Sequence, residues 1–545
     1  MILRIPPSRV PAWRLLFALC AFFLLVAEAS HVDSSLLQQH AGTPLRAPGD
    51  FQPDTQNPFN PTTPQSGEQP HPFDPPLNSL EELHHALETM QSDYFEIWLG
   101  KWPAAIDWTA AVMSTHVSAA LYTLTRSLSY IMPGTLAKDT PDMQKKSSEL
   151  ELEGQRIENE INKYFSQIIT YFFGEDHFAI RTQAYDDMLW VVLGWLESIR
   201  FIQEHDGLHY PPTSHSTGGS QWYGKQFESA FAHRARVFYD LAQKGWDWKL
   251  CGGGMTWSPH TQPYKNAVTN ELFIAASAGM YLYFPGDSNC SPYLTNSPTS
   301  ADCTRDSATT EGRGCCTPPY GPTVPHDPVY LAAAVNGYAW LKQSNMTNAQ
   351  GLYVDGYHIR DWGKNGSIGT GKCDERNEMV YTYNQGVLLS GLRGLWEGTG
   401  DVAYLEDGHA LIRSVIRATG WRAGWAMRVV TFAGSSPSQQ AQAQARPESE
   451  PEVVEANAWA GLGVKGILTE LCDPAATCSQ DSQTFKGIFF HHLTLFCASL
   501  PLEPRVPGKT HAATPAHAML HAQSCREYAP WVVRNARAAL GTRDR

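Results

Sequence analysis

The chain has 545 residues, of which 42% are hydrophobic and 17% charged, a composition that supports a sizeable core and excludes a wholly disordered chain. Its formal net charge of −13 argues against nucleic acid, or an anionic membrane surface, as the main partner. The 17 Trp and 22 Tyr suit a cleft that stacks on sugar rings and equally suit a large core.

The N-terminus has the layout of a targeting segment. Arg4, Arg9 and Arg14 precede an apolar run from Leu15 to Val26, and Ala27-Glu28-Ala29 supplies a small-x-small cleavage site. Residues 1–29 are therefore expected to be a secretory signal, because the apolar run is short for a membrane span; an uncleaved signal anchor is the alternative. Ten of the 11 Cys lie beyond it, an even number in an oxidising compartment, so five disulfides are expected with a connectivity that spacing does not settle. Asn345-Met-Thr and Asn365-Gly-Ser are glycosylation sequons. Residues 30–79 contain ten Pro between Pro44 and Pro76 and read as a disordered spacer. The ordered domain is expected over 80–545, interrupted by a disordered insertion at 434–452.

Helical periodicity recurs over 80–98, 105–131, 141–173, 183–204, 226–244, 265–282, 327–343, 378–397, 402–418, 453–471, 482–499 and 524–540. Strand alternation is scarce, so the expected fold class is all-α with about a dozen helices. Glu271–Tyr283 and Val387–Trp396 are apolar over most of their surface, whereas 141–165 is charged on one side. Helices of these two kinds in alternation predict an inner buried ring and an outer solvated one. The Pro- and Cys-rich connection at 284–326 is expected to be tied down by disulfides.

Chemistry gathers first at Ala184–Glu197, AYDDMLWVVLGWLE, where Asp186 and Asp187 head an apolar, Trp-rich helix. Two carboxylates against apolar surface raise one another's pKa and oppose folding. That pattern suits a pair in which one carboxyl is ionised and the other protonated. Simple capping of the helix is the competing reading. Three further clusters stand at predicted helix heads. GWDWKLCGGGMTW brings Trp248 and Trp257 beside Gly253, where a glycine run permits close backbone approach and indoles can stack on pyranose faces. YKNAVTNE offers Asn266 and Asn270 to sugar hydroxyls and Lys265 to a nearby carboxylate. TYNQG adds Tyr383, Asn384 and Gln385. For each cluster, sugar contacts compete with structural hydrogen bonds. Trp190, next to the Asp pair, is a further candidate groove residue.

The segments AYDDMLWVVLGWLE, LCGGGMTWSP, PYKNAVTNELF, TYNQGVLL, GILTELC and FKGIFF, in that order, resemble glycoside hydrolase family 76. They look most like its fungal cell-wall branch of endo-α-1,6-mannanase-like and GPI-glycan transglycosylase proteins, with the likeness running from about 80 to 541. The resemblance implies an (α/α)6 barrel with a groove across one end and cleavage or transfer at α-1,6-linked mannose with retention. It implies Asp186 as nucleophile and Asp187 as acid/base, no cofactor and no metal. The donor would be α-1,6-mannan or the GPI-core glycan, the acceptor water or wall glucan, and the location the cell exterior or wall. Membrane association is expected only through an uncleaved signal or a GPI anchor, and the absence of an apolar run before Arg545 does not support the latter. Where the family motif FKGIFF is followed by a basic residue, this chain has His491 and His492, whose charge would then depend on pH. A wall lectin that kept the barrel and lost turnover is the alternative, and the intact Asp pair argues against it.

Overall fold

A computed structural model describes residues 78–127, 141–210, 221–289, 321–421 and 459–542. The signal at 1–29, the spacer up to residue 77, most of the Cys-rich connection at 284–326 and the insertion at 434–452 lie outside the described residues.

The fold is all-α, as predicted, with twelve α-helices among the described residues. Eleven of them build the barrel: α1 Ser79–Asp93, α2 Asp107–Ser127, α3 Pro141–Gly174, α4 Tyr185–His209, α5 Glu228–Ala242, α6 Ala267–Tyr283, α7 Pro328–Gln343, α8 Thr382–Thr399, α9 Ala403–Ala418, α10 Gln480–Cys497 and α11 Pro515–Leu540. The twelfth is a single turn at His177–Ile180. Helices α2, α4, α6, α8 and α10 pack side by side, and α10 returns to α2 to close the ring. Outside them, α3 lies on α2, α5 on α4, α7 on α6, α9 on α8 and α11 on α10, with α1 also against α2. Among the described residues this makes five inner and six outer helices, the double-layered architecture of an (α/α) barrel.

Sequence pattern decides which helix goes where. Buried positions run almost continuously through α6, from Ala267 to Leu282, and through most of α8, because each touches ring neighbours on two sides and an outer helix on a third. By contrast α3 buries Ile161, Tyr164, Phe165, Ile168 and Tyr171 on one stripe and exposes Gln155, Arg156 and Asn159. Close packing within the ring uses glycine. A Cβ on Gly386 of α8 would lie 2.4 Å from the Cα of Phe489 on α10, and one on Gly394 would meet Ala278 of α6 at 2.7 Å.

Two small sheets decorate the ends of these helices. Strands β1 (Tyr264–Asn266), β2 (Gly356–His358) and β3 (Glu375–Asn377) form an antiparallel sheet in the order β1-β2-β3, with Lys265 opposite Tyr357. Strands β4 (Gly463–Val464) and β5 (Ile467–Leu468) form a hairpin where a helix over 453–471 is predicted. In the described part of that span, Gly461, Gly463 and Gly466 all take positive φ, a conformation no α-helix contains. Asn535 of α11 then fixes the hairpin by accepting from Leu468 N (2.8 Å) and donating to Gly466 O (3.0 Å).

Other helix ends also differ from expectation. α1 stops at Asp93 rather than 98, as the chain turns back at Gly100 N to Glu96 O. The last helix starts at Pro515, nine residues earlier than predicted, because the Thr514 side chain accepts from His517 N. Three disulfides are present among the described residues, Cys251–Cys373, Cys472–Cys478 and Cys497–Cys525. The other four Cys beyond the signal lie outside them.

Glycine's role in the ring is open to a paired test. Gly386→Ala forces α8 and α10 apart and should destabilise the protein by about 1–3 kcal/mol, the usual magnitude of overpacking. Gly207→Ala, on an exposed face of α4 with nothing near the added methyl, should stabilise it by about 0.5–1 kcal/mol. Urea melts of the two variants beside the parent distinguish these outcomes by sign.

Candidate active site

The inner helices run in one sense, so their N-termini meet at one mouth. Gln183 Nε2, just before α4, donates to Asp107 Oδ2 at the head of α2 (3.1 Å), and Trp108 Nε1 of α2 donates to Asp481 Oδ1 at the head of α10 (3.1 Å). At the head of α8, the Tyr383 ring stacks on Phe485 of α10 at 3.8 Å and 12°.

Each inner helix must satisfy its first N–H groups, and three of them do so without a side-chain bond from the N-cap residue itself (Ala184, Asn266 and Tyr381). Carboxylates and carbonyls of the mouth take over that work. In α4, Asp187 Oδ2 reaches back to accept from Ala184 N and Asp186 Oδ1 accepts from Asp187 N, both at 3.1 Å. In α6, Ala267 N donates to Asp355 O (2.8 Å). In α8, Thr382 donates to Glu470 Oε1 from its amide (3.0 Å) and from its hydroxyl. The capping reading of the Asp pair thus holds for Asp187, but capping leaves Asp186 Oδ2 facing the mouth.

That oxygen accepts the indole N–H of Trp257 at 3.1 Å. The loop carrying Trp257 is pinned on both sides: Trp257 N donates to Tyr264 O and Tyr185 N to Trp257 O, each at 2.8 Å. Burial, and then the charge of Asp187, raise the Asp186 pKa, while donors from Asp187 N and Trp257 pull it back. Asp187 is pushed up to about 6 by burial, aided by the charges of Asp481 and Asp107 and opposed by its one donor from Ala184. The two donors on Asp186 and the two further carboxylates facing Asp187 favour the charge of the pair on Asp186, whereas the deeper burial of Asp186 and the charge of Asp187 oppose it.

The other sequence candidates separate into mouth and scaffold. Trp257 and Trp248 are both exposed, the latter at 71%; Trp257 stands at the mouth on Asp186, while Trp248 packs edge-on against Trp246. Tyr383 forms its wall and lies within the fields of both Asp186 and Asp355. Asn266 and Asn384 are buried there, and the Oδ1 of each has no hydrogen-bond partner among the described residues. Trp190 is buried beneath the pair and stacks on Trp108, so it supports the floor of the groove. Asn270 is consumed by the backbone, accepting from Met255 N (2.7 Å) and donating to Met255 O and Asn266 O. Gln385 is consumed likewise by Tyr353 N and O and Tyr381 O.

Lys265 is fully buried and reaches no carboxylate oxygen among the described residues. Its ammonium donates to Gly254 O (2.5 Å) and Asp247 O (3.5 Å), and burial lowers its pKa to about 8. Gly253, at φ 132°, belongs to the same turn, where a Cβ would press on the Trp340 ring at 3.1 Å. The GGG run therefore lets backbone approach an indole of the protein's own core. His491 and His492 are buried rather than placed against a carboxylate. Burial pushes both pKa values down, that of His492 to about 3, so neither charge responds to ordinary pH.

Sequence reasoning missed Asp355. It sits beside the head of α6, accepting from Tyr264 Oη (2.5 Å), Asn377 Nδ2 (3.1 Å) and Asn384 Nδ2 (3.5 Å), with its pKa raised by burial. In sequence it belongs to an ordinary Asp-Gly turn, and only a 91-residue return of the chain brings it to Tyr264. The described residues that bring metal-ligating atoms together are His409, His521 and Cys525, but Cys525 is disulfide-bonded and the two imidazoles bond each other at 3.0 Å.

The fold is similar to solved structures at low identity. The GH76A α-1,6-mannanase from Salegentibacter sp. HEL1_6 shares 14% identity over 84% of this chain and 86% of its own, with a TM-score of 0.45. Dfg5 from Chaetomium thermophilum, solved with glucosamine, shares 13% over 84% and 91%, with a TM-score of 0.37. The mannosidase Bt3792 from Bacteroides thetaiotaomicron VPI-5482 shares 14% over 76% and 98%, with a TM-score of 0.39. No curated protein matches the sequence. The model of glycosyl hydrolase family 76 matches residues 323–427, a span that holds Asp355, Tyr383 and Asn384 but not the Asp pair, and it bears out the resemblance of the motifs to that family.

Proposed function

We propose that the protein is a retaining glycosidase or transglycosidase acting on α-1,6-linked mannose, in cell-wall mannan or the glycan core of a GPI anchor. The observation that carries this reading is the pair Asp186 and Asp187 at the barrel mouth, adjacent in sequence yet held by different donors. The family resemblance supplies the linkage and the sugar. A leader-like N-terminus and two sequons, whose Asn345 and Asn365 are both exposed, support action outside the cell.

In this reading a mannosyl ring enters against Trp257 and Tyr383, with hydroxyls toward Asn266, Asn384 and Asp355. Asp186 attacks the anomeric carbon as the glycosidic C–O bond breaks, and the departing oxygen takes the proton of Asp187. The product is a glycosyl ester on Asp186. Asp187, now ionised, takes a proton from the acceptor hydroxyl, whose oxygen displaces Asp186 and restores the starting state. Water as acceptor gives hydrolysis and a sugar hydroxyl gives transfer. Incubating the protein with reduced α-1,6-mannooligosaccharides, with and without glucan, and following products by mass decides between them. Binding without any product would leave a lectin.

Turnover requires a proton on Asp187, so kcat should fall as pH rises through about 6. The same raised pKa has a sign for stability: the folded state holds this proton more tightly than the unfolded chain. Its contribution is complete at low pH and is lost as pH rises through the folded value. Asp187→Asn should therefore flatten the decline of the melting temperature between pH 4 and pH 7.

Trp257→Phe keeps a ring at the mouth and removes the N–H that favours ionised Asp186. A hydrogen bond to a charged group contributes about 1.5–3 kcal/mol, so kcat should drop roughly 10–100-fold with little change in KM, and the acid limb of the profile should move to higher pH. An unchanged acid limb would show that the indole serves packing alone.

Asp186→Asn should abolish turnover on every donor. Asp187→Asn should cost about 10²–10⁴-fold on natural glycosides and much less, in the first step, on a mannosyl fluoride that needs no general acid. Equal loss on both donors with Asp187→Asn, together with activity surviving Asp186→Asn, would reverse the roles.

A further inference from the structure

The far end of the barrel holds a second site. Arg200 lies fourteen residues after Asp186 on α4, about 20 Å along the helix, so the two belong to opposite ends of the ring. There the C-terminal halves of the inner helices enclose a cavity of about 80 Å³, open at its outer end, whose walls fall into layers. At the rim stand Arg126, Arg200, Arg393 and Arg505 with Tyr283. Below them Leu196, Ala278, Leu282 and Leu495 form an apolar collar. Thr115, Ser390, His491 and His492 make a neutral polar floor. From the level of Leu193 at the floor to Arg200 at the rim is seven residues of α4, roughly 10 Å.

The rim has more positive than negative charge. Arg126 pairs with Glu204 (3.7 Å), Arg200 with Glu197 (3.2 Å) and Arg505 with Glu397 (2.7 Å). Arg393 donates to Ala498 O (2.5 Å) and Ser499 O (3.0 Å) at the end of α10 and stands 4.0 Å from the same Glu397. Arg505 meets Glu397 through Nε, and its two Nη groups have no hydrogen-bond partner among the described residues. They form the fork that a carboxylate or phosphate accepts in two parallel bonds. A second open valence lies at the floor, where His491 Nδ1 is buried without a hydrogen-bond partner among the described residues. Between the two the wall is mostly hydrocarbon, which water wets poorly, with the Glu197 carboxylate turned to Arg200.

We propose that this cavity binds a small amphiphilic anion, a carboxylate or phosphate monoester whose charged head pairs with the Arg505 fork and whose apolar body, roughly 10 Å long, fills the leucine collar. The neutral, hydroxyl-rich sugars expected at the catalytic mouth match neither the guanidinium rim nor the collar. This site therefore stands whether or not the proposed glycosidase activity does.

Calorimetry on the full chain with octanoate and with octyl phosphate tests the site and separates the two head groups. Saturable 1:1 binding of at least one, with a rise in melting temperature, is expected, and inorganic phosphate and 1-octanol should each bind at least tenfold more weakly than the better amphiphile. Arg505→Gln should weaken that ligand at least tenfold. Since this variant leaves Glu397 short of a partner, Ser499→Glu provides a second measurement: it adds a negative charge at the exposed rim without touching the core, and should weaken binding to a similar degree. Absence of saturable binding by both amphiphiles overturns the proposal. So does an affinity unaltered in both variants, or inorganic phosphate binding as well as octyl phosphate.

Discussion

Helix N-termini that converge on one mouth need negative partners, and that need organises the molecule. A ring of inner helices running in one sense brings several sets of unpaired N–H groups, each with partial positive charge, to the same place. Here Asp187, Asp186, the Asp355 carbonyl and Glu470 meet them. The same field that demands these groups makes it tolerable to hold several carboxyls together away from water. Burial still opposes it, raising Asp187 to about 6 and Glu470 to about 7. A carboxyl that caps its helix is here also held at the mouth with a raised pKa, so the structural and chemical readings of Asp187 do not exclude one another.

Rigidity at the mouth comes from the layer behind it. Lys265 is buried under the glycine turn and ties Gly254 O to Asp247 O, so the loop bearing Trp257 cannot drift from Asp186. Asn270 and Gln385 do the same for the segments of Met255 and Tyr353. These amides and the ammonium have the composition of a sugar site and the contacts of a brace. Their polar atoms bond backbone, whereas Asn266 Oδ1 and Asn384 Oδ1 have no hydrogen-bond partner among the described residues. The barrel is thus chemically polar along its axis: carboxylates and amides cluster at the N-terminal end, guanidinium groups at the C-terminal end, where helix dipoles favour cations.

All-α class, alternation of buried and solvated helices, the Asp pair and the exposed Trp of the glycine turn were legible in the sequence, because periodicity and like-charge adjacency are local properties of the chain. What local pattern could not reveal was which polar side chains point outward. Asn266 and Asn270 share a helix face by spacing, yet one keeps an open oxygen and the other is spent on Met255, a difference set by how the preceding loop folds back. Asp355 was invisible as a site residue, since its neighbours Tyr264 and Asn384 come from 91 and 29 residues away. The span 453–471 reads as helical from its apolar spacing, but three positive-φ glycines and the grip of Asn535 make its described part a hairpin. His491 and His492 looked like a titratable pair and are neutral, because ring closure between α2 and α10 buries them. The sequence by itself determined the helices, their two classes and the chemistry offered at their heads. Tertiary structure alone decided which of those groups are left unsatisfied, since a hydrogen bond is completed only when distant segments arrive.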